Sequence, residues 1–290
     1  MKFTVKKDGN LLDVLMVQIG YNSKSKVKKL LKYSKVLING EQLKRGDAPV
    51  TSGQLIEIIK IEKKVQEIIE KEPFKFLYED EDIIVVEKPA GLLTVGIEGR
   101  KLKNLFDILS RFVSLRSDGE DKLFLVHRLE RDMSGIIVLA KSYEAKSDLQ
   151  KEWKDCEQRY YALIKGGMPA KQGQLNNYLE LNKEGKAYAT NDPSKGKEAI
   201  TSYEVMKEFA NHSILRLTPI TSVKEQIRAQ LHSNKTPIVG DKKYHENDNP
   251  INRLGLHLFS LQFNHPLTGK EIFVKTPMPK IFLSYGKHKS

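Results

Sequence analysis

The densest reactive chemistry in the chain lies in LVHRLERDMSGIIVLAKS (125–142). An apolar approach leads into His127, Arg128, Glu130, Arg131 and Asp132, followed by Ser134, Gly135 and a hydrophobic strand. Carboxylates, guanidinium groups and an imidazole packed this closely are the material of acid–base and nucleophilic catalysis. A polar block carried on a buried strand is also how folds mount functional loops. Taken alone, the block fits a salt-bridged surface turn slightly better. No cofactor signature accompanies it: there is no phosphate-cradling glycine loop, no HExxH and no GxSxG. His212, His232, His245, His257, His265 and His288 are scattered without metal-ligand spacing and read as structural. YEDEDIIVVEKP (78–89) reads as a polar turn entering a buried strand rather than as a metal site. An enzyme built here is expected to work with side chains alone, without cofactor or metal.

The charge indicates what such an enzyme would meet. Forty-nine Lys and Arg against 37 Asp and Glu leave a formal charge of +12. That balance favours a polyanion, because each phosphate contact releases condensed counterions. Charge alone does not choose among RNA, DNA and an anionic membrane face. No apolar run approaches the ~18 residues of a membrane helix, and no signal peptide is expected, since Lys6, Lys7, Asp8 and Asp13 interrupt the N-terminal segment. The single Cys156 excludes an internal disulfide framework and points to a reducing, cytoplasmic setting.

The elements that must position these residues fall into two groups. In the first, Asn10 is placed to cap a helix with Leu11, Leu12, Leu15, Met16 and Ile19 inward. Ser25 is placed to cap a second helix with Val27, Leu30 and Leu31 inward, and Lys24, Lys26, Lys28, Lys29, Lys32 and Lys35 on its other faces. An Asn39-Gly40 turn marks a hairpin, and QLIEII (54–59) a strand. This predicts a small α/β module over residues 1–61, a charged linker over 62–75 and a second domain over 76–290. In that domain DIIVVEK (82–88), GIIVLAK (135–141), YYALIKG (160–166), ITSYEVM (200–206) and ILRLTPI (214–220) read as strands. A helix over Glu144–Lys154 with Ser142 as cap, and another carrying Val223, Ile227 and Leu231, interrupt them. Strands without regular βαβ alternation predict an α+β fold.

The block HRLERDMSG resembles the HRLDxxTSG signature of the RluA-type pseudouridine synthases, RNA-modifying isomerases. Four further segments are similar to the same family in the same order: YEDEDIIVVEKPAGL (78–92), YALIKG (161–166) preceded by Tyr160, EQIRAQLHSNKTPIVGDKKY (225–244) and RLGLHLFSLQFNHPLTGKEIFVKTPMP (253–279). The N-terminal module resembles the small S-four RNA-binding domain. The resemblance implies a mixed, largely antiparallel catalytic sheet with flanking helices. It also implies a cofactor-free isomerisation of a uridine in structured RNA, ribosomal RNA being the expected partner, by a monomer. The base is flipped out, its glycosidic bond cleaved, the uracil rotated and rejoined through carbon; extrusion costs a few kcal/mol. The family uses an aspartate as nucleophile or base at the sugar, a tyrosine stacked on the uracil, and an arginine paired with the aspartate. By position these fall on Glu130, Tyr160 and Arg228, and Arg128 matches the arginine that fills the space of the flipped base. The residues agree in part: Arg228, between Ile227 and Leu231 on an inward-packing helix, needs a carboxylate partner. In the small module, the run of lysines on a helix that already has a buried stripe points to RNA phosphate contact by Lys24, Lys26, Lys28, Lys29 and Lys32.

The essential aspartate is here a glutamate, whose extra methylene moves the carboxylate by about 1.5 Å. Restoring aspartate at 130 is therefore expected to raise activity, provided Arg228 and Tyr160 remain positioned. Ser222, Val223, Lys224 and Glu225 stand where the family has Gly, Arg, Thr and His, and Met133 where it has Thr. Two functions follow: a synthase using Glu130, or a catalytically silent RNA-binding relative acting in ribosome assembly or as an RNA chaperone.

Overall fold

The computed structural model describes residues 2–20, 24, 27–28, 31, 34–43, 48–60, 72, 74–100, 102–117, 121–190, 192–244 and 249–288. They group into two compact units, Met1–Glu72 with Arg111–Asp121, and Pro73–Ser110 with Lys122–Ser290.

The first unit is built from short, locally coded elements. Strands β1 (Lys2–Thr4) and β2 (Gly9–Asn10) precede helix α1 (Leu11–Ile19), where the Asn10 side chain accepts a hydrogen bond from the Leu12 amide and Gly20 ends the helix at φ 71°. Leu11 and Leu15 are fully buried, in a cluster with Val5, Val27, Val36, Val50, Ile56 and Ile58. Strands β3 (Ser34–Ile38) and β4 (Glu41–Gln42) are joined by Asn39 and Gly40, both at positive φ (52° and 90°). Two successive positive φ values are what a tight hairpin needs to match strand twist. With β5 (Pro49–Val50) and β6 (Leu55–Lys60), a four-stranded antiparallel sheet runs β1-β6-β3-β4, and β2 pairs with β5. Lys24, Val27, Lys28 and Leu31 are helical; the proposed Ser25 cap, Lys26, Lys29 and Lys32 lie outside the described residues, as does most of the linker at 62–75.

The second unit is organised by apolar runs long enough to be covered on both faces. Strands β7 (Lys75–Glu79) and β8 (Ile83–Lys88) are followed by helix α2 (Leu105–Arg116), of which Leu105–Ser110 belong to this unit, then β9 (Phe124–Leu125) and β10 (Ser134–Ala140). Ile83–Val86 and Ile136–Ala140 are all wholly buried, which requires central strands. Helix α3 (Tyr143–Glu152), capped by Ser142 on the Ala145 amide, leads through a short turn to β11 (Glu157–Lys165). Then come β12 (Gln172–Leu181), β13 (Ala187–Thr190), β14 (Lys197–Glu208), β15 (His212–Pro219), helix α4 (Gln226–Ser233), β16 (Leu256–Asn264), β17 (Glu271–Lys275) and helix α5 (Lys280–His288). Among the described residues the sheet runs β13-β12-β14-β15-β11-β16-β10-β8-β7, with β17 on β16 and β9 on β10. Every pairing is antiparallel except β10 with β16. The fold is α+β with a mixed, largely antiparallel sheet, as the sequence predicts. The helix expected over Glu144–Lys154 runs Tyr143–Glu152, and Val223 precedes α4, because Glu225 turns the chain at φ 57° and the helix starts only at Gln226. No helix among the described residues is long and apolar enough to cross a membrane.

A buried polar chain ties β10 to β16. Arg253 Nη2 donates to Ser134 Oγ (2.7 Å), Ser134 Oγ lies 2.6 Å from His257 Nδ1, and His257 Nε2 lies 2.9 Å from Thr276 Oγ1. Burial, and after it the Arg253 charge, push His257 down to about 3. The folded state thus refuses a proton that the unfolded chain takes below its ordinary pKa of 6.5, and stability is lost as pH falls from 6.5 towards 3. The loss is about 1.4 kcal/mol per pH unit for one proton. Denaturant titrations at pH 5 to 6.5 should show that much less slope in His257→Asn than in the wild type; equal slopes would mean the ring is not held neutral.

Candidate active site

Arg228 lies on the first turn of α4, with its side chain 7 % exposed. The helix is seated by two buried glutamines. Gln230 Nε2 donates to the carbonyls of Leu175 (3.0 Å) and Ala199 (2.7 Å), while its Oε1 accepts from Thr201. Gln226 bridges Thr201, the Ile200 carbonyl and the Val223 amide. With both amides satisfied, the rotation of α4 about its axis is set, and so is the direction in which Arg228 leaves it.

Two carboxylates meet that guanidinium. Asp241, 1 % exposed, takes Nε at 2.8 Å and also Nη2, forming a two-bonded fork. Glu130 Oε2 meets Nη1 at 2.5 Å, and its side chain is 51 % exposed. Burial would lower the pKa of Arg228, but the Asp241 hydrogen bond and the charges of Glu130 and Asp241 outweigh it and raise the value. The result is a permanent cation anchored from beneath by one acid and presenting another to solvent. Such a carboxylate is open to a large ligand and held in one orientation, as a nucleophile or base requires.

The loop carrying Glu130 is held by Lys88, at the end of β8. Its wholly buried ammonium reaches the carbonyls of Pro89 (2.9 Å), Leu92 (2.8 Å), Arg131 (3.2 Å) and Met133 (2.6 Å). Burial and the Arg253 charge lower its pKa to about 7, with Asp132 pulling the other way. Thr94 accepts from the Leu129 amide and donates to the Leu129 carbonyl at 2.6 Å. His127 Nε2 accepts the Val138 amide at 3.1 Å and its ring stacks on Trp153, so the most reactive-looking imidazole of the block is a structural one, pushed by burial to about 3.

Tyr160 sits on β11 at a bulge between Arg159 and Tyr160, opposite Leu258 of β16, which in turn faces Gly135 of β10. Two strand spacings separate Tyr160 from Gly135, about 10 Å across the sheet. Its hydroxyl donates to Gln158 Oε1 at 2.7 Å rather than to Glu130, and burial raises its pKa. The phenol is therefore neutral at physiological pH, suited to stacking and poor as an anionic base. Arg128 is exposed. The structure thus joins Glu130 to Arg228 by contact, and places Tyr160 two strands from Gly135 of β10, the strand that follows the Glu130 loop. Lys24 and Lys28, in the first unit, are exposed, with Lys24 3.1 Å from Asp13.

Asp241 and Lys88 escape sequence reasoning. The available signals were Gly240 ahead of Asp241, and a lysine closing a strand that opens with the four apolar residues Ile83–Val86. A further grouping, Asp80, Asp82 and His265, brings its ligand atoms within 4.8 Å of one another. His265 Nδ1 accepts the amides of Leu267 and Thr268, so Nε2 holds the proton and donates to Asp80 at 3.1 Å. Those bonds account for the cluster as a clasp between the β7–β8 turn and the turn before β17.

Comparison with known proteins bears on what this arrangement serves. Human RNA Pseudouridylate Synthase Domain Containing 4 superposes with a TM-score of 0.61 at 21 % identity, covering 78 % of this chain and 95 % of that one, which shows a shared fold. The Ribosomal large subunit pseudouridine synthase D of Vibrio cholerae is 28 % identical over 274 residues, covering 89 % of this chain and 84 % of its own. The corresponding synthase C of Buchnera aphidicola is 30 % identical over 222 residues, 73 % of this chain and 69 % of its own. Residues 82–233, just over half of the chain and including both partners of the Glu130–Arg228 pair, match the model of the RNA pseudouridylate synthase family. The chain belongs to that family of RNA-acting isomerases.

Proposed function

We propose that the chain isomerises a uridine of large-subunit ribosomal RNA to pseudouridine, with Glu130 as the carboxylate acting at the sugar. The observation that carries this reading is the Glu130–Arg228 ion pair, solvent-facing on one side and anchored on buried Asp241 on the other. The reaction breaks the bond between C1′ and the base nitrogen and forms one between C1′ and C5, while the C5 hydrogen leaves as a proton to solvent and the freed base nitrogen takes one up. Glu130 acts at the sugar as nucleophile or base while Arg228 offsets its charge. Tyr160, kept neutral, offers its ring to the uracil, and Arg128 occupies the space the flipped base leaves. Relatives named for large-subunit ribosomal RNA support that substrate class. Residues 1–61 serve as an S-four-like RNA-binding module joined through 62–75 to the catalytic domain, 76–290, and the protein acts as a cytoplasmic monomer.

Release of tritium from RNA labelled at uridine C5 tests the reading. Turnover supports it; no release with tight, salt-sensitive RNA binding would leave the silent RNA-binding role instead. Neutralising Lys28, Lys29 and Lys32 together is expected to weaken binding and to reduce the log–log salt slope by about 2. An unchanged slope would return those lysines to an ordinary solvated face.

A further inference from the structure

The segment that departs most from the family pattern ends in Glu225, and this residue is built into the site. Its backbone at φ 57° is left-handed, which costs an L-residue about 1 kcal/mol. Its side chain is only 8 % exposed. One carboxylate oxygen binds the Lys243 ammonium and the other lies 3.0 Å from the Tyr244 hydroxyl. The Ala187 backbone also bonds to it. Burial works against its charge, but those bonds and the Lys243 ammonium hold the carboxyl below its usual range, so Glu225 is ionised.

Tyr244 connects this carboxylate to the reacting one. The phenol is 2 % exposed, its hydroxyl also lies 2.7 Å from the Ala187 carbonyl, and its amide donates to Asp241 Oδ1 at 3.2 Å. The Arg228 guanidinium carbon lies 5.3 Å from the ring centroid, and Lys186 Nζ 4.6 Å from it. The Asp241 fork fixes two guanidinium nitrogens but leaves the plane free to hinge about that edge; a ring against its face closes the hinge. Charges within the cluster balance: Arg228, Lys186 and Lys243 against Glu130, Asp241 and Glu225. A glutamate at 130, with one more rotatable bond than aspartate, depends more on a fixed Nη1 to stay in register.

We propose that Glu225 is a positioning residue, which through Tyr244 fixes the plane of Arg228 and thereby the carboxylate of Glu130. The inference rests on the reading of Glu130 as the reacting group.

The test is tritium release from C5-labelled large-subunit ribosomal RNA by the full chain, with kcat and KM determined separately. Glu225→Gln keeps the shape and removes the charge; Tyr244→Phe keeps the ring against Arg228 and removes the hydroxyl. Each is expected to lower kcat about tenfold with KM within about twofold, and the double variant to be no slower than the slower single one. Unchanged kcat in both variants overturns the inference. So does a raised KM with a flattened salt dependence, which would make Glu225 part of the RNA-contacting surface instead. Should Glu225→Gln not fold, Tyr244→Phe decides alone by the same criterion. A wild type that releases no tritium overturns the reading of Glu130 and this inference with it, whereas an active wild type matched by both variants overturns this inference only.

Discussion

Glu130→Gln is expected to lower tritium release by about 10⁴-fold, the size of loss typical when a reacting side chain is removed, with folding stability changed by less than about 1 kcal/mol. The second half of that statement is what the geometry adds. Glu130 is half exposed, and Arg228 keeps its fork with Asp241 when the outer acid goes, so no uncompensated buried charge is created. Glu130→Asp is the finer probe. The family pattern alone suggests that aspartate would raise activity. The 2.5 Å contact of the longer side chain with Nη1 reverses that expectation. Shortening it draws the carboxylate back by about 1.5 Å, and a displacement of that size costs about 100-fold in a preorganised site. An Asp variant faster than wild type would mean that the site is still shaped for the shorter acid.

Gly135→Ala is expected to be strongly destabilising. At φ 139° the residue occupies backbone space that L side chains rarely adopt, and an added Cβ would lie 2.5 Å from the Leu258 carbonyl oxygen and 2.6 Å from its amide nitrogen. Those atoms belong to the partner strand of the parallel β10–β16 pair, which is only two residues long. Neither side can yield without parting that pair and the Ser134–His257 bond beside it. A destabilisation above about 4 kcal/mol follows, in the range reserved for overpacked cores, and a melting curve measures it. A midpoint within a few degrees of wild type would show that the two strands separate at little cost.

The sequence was most legible where one local rule sufficed. Asn10 and Ser142 cap helices as their side chains suggest, and the Asn39-Gly40 pair makes its hairpin because both residues tolerate positive φ. The apolar runs became central strands. Much less legible was the β12–β13 hairpin, whose QGQLNNYLEL alternates weakly and carries polar residues on an edge. In the site, Arg228 announced its need for a carboxylate, since a guanidinium beside inward-facing Ile227 and Leu231 must be compensated. That a second acid, Asp241, takes the larger share of it could not be read from spacing: the two lie on separate elements brought together by the loop after α4. Val223 misled for a related reason. Its four-residue interval to Ile227 continues the helical pattern, but Gln226 turns back to bond its amide and the helix begins later.

The Lys88 ammonium grips only main-chain oxygens, and every amino acid supplies those alike. The segment beyond Glu130 is therefore moored without reference to which side chain stands at 130. A lineage could lengthen the acid at that position, and recast the facing stretch around residue 225 to suit, while the hinge that aims it stayed put. The scaffold is tolerant at the one place where chemistry is least forgiving, and that tolerance is what gives an exchange of aspartate for glutamate somewhere to begin.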